Sequence, residues 1–115
     1  MSGITSRRKG HDYERQIRLE YRDMGWNNCE TSRYKSKYLD DHKIDLTDTY
    51  PFSIQAKCTK NNPSYHKIFK EMLEIKGHYK LIYHKKPRDK EYVVIQKEDF
   101  HELLDMLIKN SIINP

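Results

Sequence analysis

Apolar residues recur along the chain with two different periods, and the switches between them mark out the elements. Tyr13, Ile17, Tyr21 and Met24 stand at helical spacing, which predicts an amphipathic helix over residues 10–24. Gly25 follows at once, the residue type that most readily takes the positive φ of a helix end. Residues 29–33 read as a strand, 34–43 as a polar loop without period, and 44–47 as a short strand. Asp48, Thr49, Tyr50 and Pro51 then supply a turn. Phe52, Ile54, Ala56 and Cys58 fall on one face of the next strand, with Ser53, Gln55 and Lys57 on the other. That alternation predicts a half-buried strand with a polar working face.

Asn62 and Pro63 are expected to open a second helix, with proline tolerated at the first helical position. Ile68, Phe69, Met72, Leu73 and the stem of Lys76 would form its buried stripe, and Gly77 would close it. Residues 79–83 and 92–96 read as strands around the turn at Lys86, Pro87, Arg88 and Asp89. Phe100, Leu103, Leu104, Leu107 and Ile108 mark a last amphipathic helix. The order helix, three strands, helix, two strands, helix predicts an α/β fold, a mixed five-stranded sheet flanked by helices. At 115 residues the chain is expected to be a single domain, with residues 1–9 as a flexible basic arm.

Composition narrows the class. Lysine and arginine number 22 against 17 acids, for +5 overall, and 36% of residues are apolar. No apolar run is long enough to span a membrane, and the polar opening stretch leads us to expect no secretory signal. Cys29 and Cys58 are too few for a disulfide framework and too far apart for a Cys-x-x-Cys zinc pair, so the compartment reads as cytoplasmic. The charge is not uniform. Residues 1–38 hold 9 basic and 5 acidic side chains (+4), and residues 39–56 hold 1 and 4 (−3). Residues 57–90 hold 10 and 3 (+7), and residues 91–115 hold 2 and 5 (−3). An acidic pocket between basic stretches suits a protein that grips phosphates and holds a cation among them; solvated charged faces are the plainer reading of the same runs.

The chemistry-bearing residues follow one another in a telling order. Glu14 lies on the first helix, Asp45 on a short strand, and Gln55, Ala56 and Lys57 on the next strand, with both side chains 55 and 57 on its polar face. Each alone is an ordinary surface residue: a helix acid, a strand-edge acid, an outward-facing pair. In this order and parity they resemble the PD-(D/E)XK nuclease superfamily, and more closely the archaeal-type Holliday junction resolvases. The run Arg8, Lys9, Gly10, His11, Asp12, Tyr13, Glu14, then Gly25 and Trp26, then Thr31, Ser32 and Arg33 carries that resemblance together with Asp45 and the Gln55–Lys57 pair. It covers residues 7–58 in motif and the remainder in element order only.

The resemblance implies a restriction-endonuclease-like fold, a homodimer, and Mg²⁺-dependent cleavage of branched DNA at four-way junctions, with Mn²⁺ as a substitute. It implies a metal held by Glu14, Asp45, Gln55 and the Ala56 carbonyl, with Lys57 orienting water or stabilising phosphoryl charge. Ser32 and Arg33 would contact the scissile or a neighbouring phosphate; otherwise they are loop-entry residues. Arg7, Arg8, Lys9, Lys35, Lys37 and Lys60 would grip DNA. The chain departs from the family at Gln55, where glutamate is usual: an amide oxygen can coordinate Mg²⁺ but brings no charge. Asp40, Asp41 or Asp48 could compensate. Other nickases or duplex endonucleases of the superfamily, and a DNA-binding relic without catalysis, fit the same residues. The small size suits a viral as well as a cellular genome.

Overall fold

The computed structural model describes residues 3–115. A long helix, α1 (Gly3–Met24), leads into β1 (Glu30–Thr31) and two short helices, α2 (Ser32–Lys35) and α3 (Lys37–Asp41). There follow β2 (Leu46–Thr47), β3 (Phe52–Cys58), α4 (Tyr65–Glu71), β4 (Tyr79–Lys85), β5 (Glu91–Ile95) and α5 (Lys97–Lys109). The fold is α/β, as its alternating periods predict.

The strands divide into two sheets and do not form the expected single sheet of five. β1 and β2 pair antiparallel, with Glu30 opposite Thr47. β3 and β4 pair in parallel across the α4 crossover, and β5 returns antiparallel to β4. Between the sheets runs a single backbone bond, from Asp45 N–H to the Ile54 carbonyl at 2.7 Å. β2 is only two residues long, so it cannot carry a ladder to β3 beyond that contact.

Each face of the larger sheet is covered. Tyr13, Ile17 and Tyr21 of α1 pack on Leu46, Ile54, Ala56 and Leu81. On the opposite face Ile68, Phe69 and Met72 meet Ile44 and Ile82. Ser53 and Gln55 are therefore buried, and the face expected to be half solvated is closed. The buried Lys80 on that face donates to the Phe69 carbonyl and to Glu74, satisfying its ammonium.

α1 differs from expectation at both ends. It starts at Gly3, so Arg7, Arg8 and Lys9 ride on a helix, while residues 1–2 of the expected arm lie outside the described residues. Its buried stripe stops at Tyr21, because Met24 is exposed. Gly25 (φ +124°) donates to the Arg22 carbonyl and Trp26 N–H to the Tyr21 carbonyl, the paired bonds of a Schellman end. The Trp26 ring sits 4.9 Å from Tyr21, lies against Phe52, and donates Nε1–H to the Tyr50 carbonyl. Glu30 accepts from Arg18 and Arg22, pinning the small sheet to the outer side of α1.

Residues 34–43 are not a loop. Ser36 breaks them into α2 and α3 and caps α3 by accepting from Leu39 N–H. α4 begins at Tyr65, capped by Ser64, and not at Pro63. It ends at Glu71, well before Gly77, whose positive φ serves a separate turn, and Lys76 is exposed. α5 forms where its apolar period places it but buries no residue fully.

Because Ile17 is wholly enclosed and Leu19 faces solvent, Ile17→Ala is expected to cost about 2–5 kcal/mol of unfolding free energy. Leu19→Ala should stay within about 0.5 kcal/mol of the parent. Urea denaturation of the two variants checks both figures.

Candidate active site

Asp45 sits at the seam between the two sheets and is held from three sides. Its N–H donates to Ile54, its carbonyl accepts from Ser32 N–H at 2.8 Å, and its carboxylate Oδ2 accepts from Ala56 N–H at 2.7 Å. The last bond stands where another strand's carbonyl would complete a ladder, so the side chain acts as a piece of backbone. Oδ2 is committed to Ala56. Asp45 is 6% exposed, and burial pushes its carboxyl up to about 6 against the opposing pull of Ala56 N–H and Lys57.

Glu14 approaches from the middle of α1. It is 8% exposed, and its Oε1 has no hydrogen bond, although Arg33 Nε stands 3.7 Å away. Burial first, and the charge of Asp45 second, raise its carboxyl to about 7, with Arg33 opposing. Asp45 raises Glu14, and Asp40 raises both, so negative charge is crowded at this seam.

Of the other buried oxygens without a partner, two belong to residues adjoining Asp45's own bonds. Ser32 Oγ and Gln55 Oε1 are buried without a hydrogen bond among the described residues. Ser32 is bonded through its backbone to Asp45, and Gln55 stands between the two residues that bond Asp45 on β3. Buried polar atoms normally find partners, yet three of the five orphans among the described residues belong to residues bonded to Asp45, beside its partners, or electrostatically coupled to it. Lys57 lies on the same face of β3 as Gln55, half-buried, and its charge reaches Asp45.

The donors are hard oxygens: two carboxylates, the Gln55 amide and, beside it, the Ala56 carbonyl. That set fits Mg²⁺ or Mn²⁺ better than a soft-ligand metal. No group of three His, Cys, Asp or Glu side chains among the described residues is placed to hold a metal ion. Any cation here would rest on two acids plus neutral oxygens, as the glutamine at position 55 foretells.

The expected DNA-gripping residues separate into groups. Arg7 and Arg8 are exposed on α1, and Arg33 is exposed beside Glu14. Lys35 pairs with Asp48 and Lys37 with Asp41, exposed pairs that cost little to exchange for phosphate. Asp41 and Asp48 are thereby engaged elsewhere. Lys9 and Lys60 line one cleft near the end of β3. Two residues near the acids are not among the expected ligands, although Asp40 is one of the acids expected to compensate for Gln55 and His11 stands in the motif run. Asp40 raises both Glu14 and Asp45, and His11 lies within the field of Arg33, Arg15 and Asp40. The α3 turn that brings Asp40 inward has no apolar period to announce it.

An acid whose folded pKa exceeds its unfolded value makes the folded state bind more protons than the unfolded chain. Stability is then lost as pH rises from about 4.5 through about 7. Glu14→Gln is expected to leave stability near pH 4 unchanged and to raise it by about 1–3 kcal/mol at pH 8. Denaturant unfolding at the two pH values checks the sign; equal stability of both proteins at pH 8 would contradict it.

Compared with family models, with curated proteins and with solved structures, the chain matches none.

Proposed function

We propose that the protein is a Mg²⁺-dependent endonuclease for branched DNA, resolving four-way junctions by paired nicks. The observation that carries this reading is the set of unpartnered buried oxygens of Glu14, Gln55 and Ser32 around Asp45, flanked by Lys57 and Arg33. Glu14, Asp45, Gln55 and the Ala56 carbonyl would hold the ion. Bound there, it supplies Lewis-acid stabilisation of phosphoryl charge and a nucleophile at neutral pH. Lys57 orients the attacking water and stabilises the negative charge that develops on the phosphoryl oxygens. Arg33 and the Ser32 hydroxyl contact the substrate phosphate and fix its register. Phosphate arriving at Arg33 draws that guanidinium away from Glu14, freeing the carboxylate for the cation.

Neutral Gln55 and the lack of a third acidic ligand favour a second reading, a DNA-binding protein without catalysis. Incubation with Mg²⁺ and labelled duplex, flap and four-way junction separates the two. Paired nicks confined to the junction are expected, and Asp45→Asn or Lys57→Ala should each slow them by at least about 100-fold. In the same assay Gln55→Glu is expected to lower the Mg²⁺ concentration required. Cuts in plain duplex point to another nickase or duplex endonuclease. Tight junction binding without cleavage under Mg²⁺ or Mn²⁺ supports the second reading.

One centre per chain and two strands to cut call for a homodimer with two-fold symmetry. The apolar face of α4 is spent on the chain's own core. The better surface joins β5 to α5, where Val93, Phe100, Met106, Ile108 and Ile112 are exposed. Its −3 charge over residues 91–115 makes it a poor seat for phosphate. Sedimentation should give a species of twice 14.0 kDa that Phe100→Asp with Ile108→Asp converts to monomer. No helix among the described residues is long and apolar enough to cross a membrane.

A further inference from the structure

One recess among the described residues is lined by none of these acids. That recess is a cleft of about 680 Å³ bounded by the early turns of α1, the loop after β3 and the turn between β4 and β5. Cys58 in its wall is one residue beyond Lys57, about 3.3 Å of strand rise away. Lys9, Lys60 and Arg88 stand around it. None of the three is ion-paired among the described residues. Pro63 and Pro87 give it apolar walls.

Its walls are fixed by a hydrogen-bond network. Thr59 N–H donates to the Lys85 carbonyl, and its hydroxyl donates to the Asn61 carbonyl, which holds the loop against β4. Fully buried His84 supports it from behind. Its Nδ1 lies 3.0 Å from the Tyr65 hydroxyl, and its Nε2 lies 3.0 Å from Thr59 Oγ1 and 3.1 Å from the Thr59 carbonyl. One tautomer satisfies all of these, with Nε2–H donating to Thr59 and Nδ1 accepting from Tyr65. On the other wall, Asp89 N–H and Lys86 N–H close the turn that carries Arg88 at φ +62°.

A recess with a cationic rim and apolar walls matches a nucleotide whose base is not engaged in pairing. Duplex DNA offers only convex phosphate and sugar, its apolar base faces being stacked inside, so it reaches the rim but leaves the walls unused. We infer that this cleft seats an unpaired nucleotide of a single-stranded segment of the DNA substrate. Phosphate lies against Lys9, Lys60 and Arg88, and the base lies against Pro63 and Pro87. The inference rests on the nucleic-acid reading above and adds an unpaired-strand subsite beside Lys57, of which Arg88, Pro63 and Pro87 are the new members.

The test needs no cleavage. In EDTA, fluorescence anisotropy is followed with labelled oligothymidylate, with duplex, and with dTMP as competitor. Arg88→Gly keeps the turn, since glycine adopts that positive φ freely. It is expected to weaken oligothymidylate binding by about 5–10-fold and duplex binding by less than about twofold. Pro87→Ala should weaken the single strand alone. Lys70→Ala, which removes one charge on exposed α4 surface, controls for net charge and should leave both affinities in place. Equal losses on duplex and single strand would overturn the inference, and so would dTMP competing as well as the oligomer. Failure of the nuclease reading would show as absent Mg²⁺-dependent cleavage with this binding intact.

Discussion

The hydrogen bond from Ala56 N–H to the Asp45 carboxylate is the stitch on which the arrangement turns. β2 is too short to pair with β3, and without that side chain the small sheet would be hydrogen-bonded to the large one through one backbone bond, Leu46 adding only apolar contact. The stitch uses a charge where a neutral carbonyl would serve. That choice costs desolvation, and the raised pKa values of Asp45 and Glu14 express the cost. A seam built only for stability would place no second acid nearby. Here α1 presses Glu14 against the seam, and no hydrogen bond relieves its Oε1.

Around this electronegative seam the molecule arranges cations at two ranges. Arg33 and Lys57 act on the acids directly. The exposed arginines of α1 and the lysines of the loops form an outer ring that salt would screen. The C-terminal quarter departs from this plan. α5 carries apolar residues outward with an acidic balance, unlike the basic stretches that precede it.

Much of this was legible in the sequence wherever a residue's environment repeats along its own element. The stripe of α1 and the parity of β3 announced themselves because neighbours two or four residues apart share a face. The candidate site, by contrast, came from the resemblance carried by the order of Glu14, Asp45, Gln55 and Lys57, which lie on separate elements. Contacts made at a seam left no such trace. The division into two sheets depends on β2 stopping after Thr47, the inward turn of Asp40 on a helix capped by Ser36, and the burial of Ser53 and Gln55 on how far α4 reaches. Nothing in the local spacing near Pro63 or Gly77 reveals that α4 is shorter than its apolar run. Likewise the period of α5 foretells a helix and is silent on whether anything covers it.

Trp26 gives the molecule an optical consequence. It is the chain's one tryptophan, and it is lodged where the Schellman end of α1 meets Phe52 and the Tyr50 carbonyl. Its emission therefore reports one joint, the seating of the long helix on the large sheet. Tryptophan emission from this protein follows first the docking of the helix that bears Glu14.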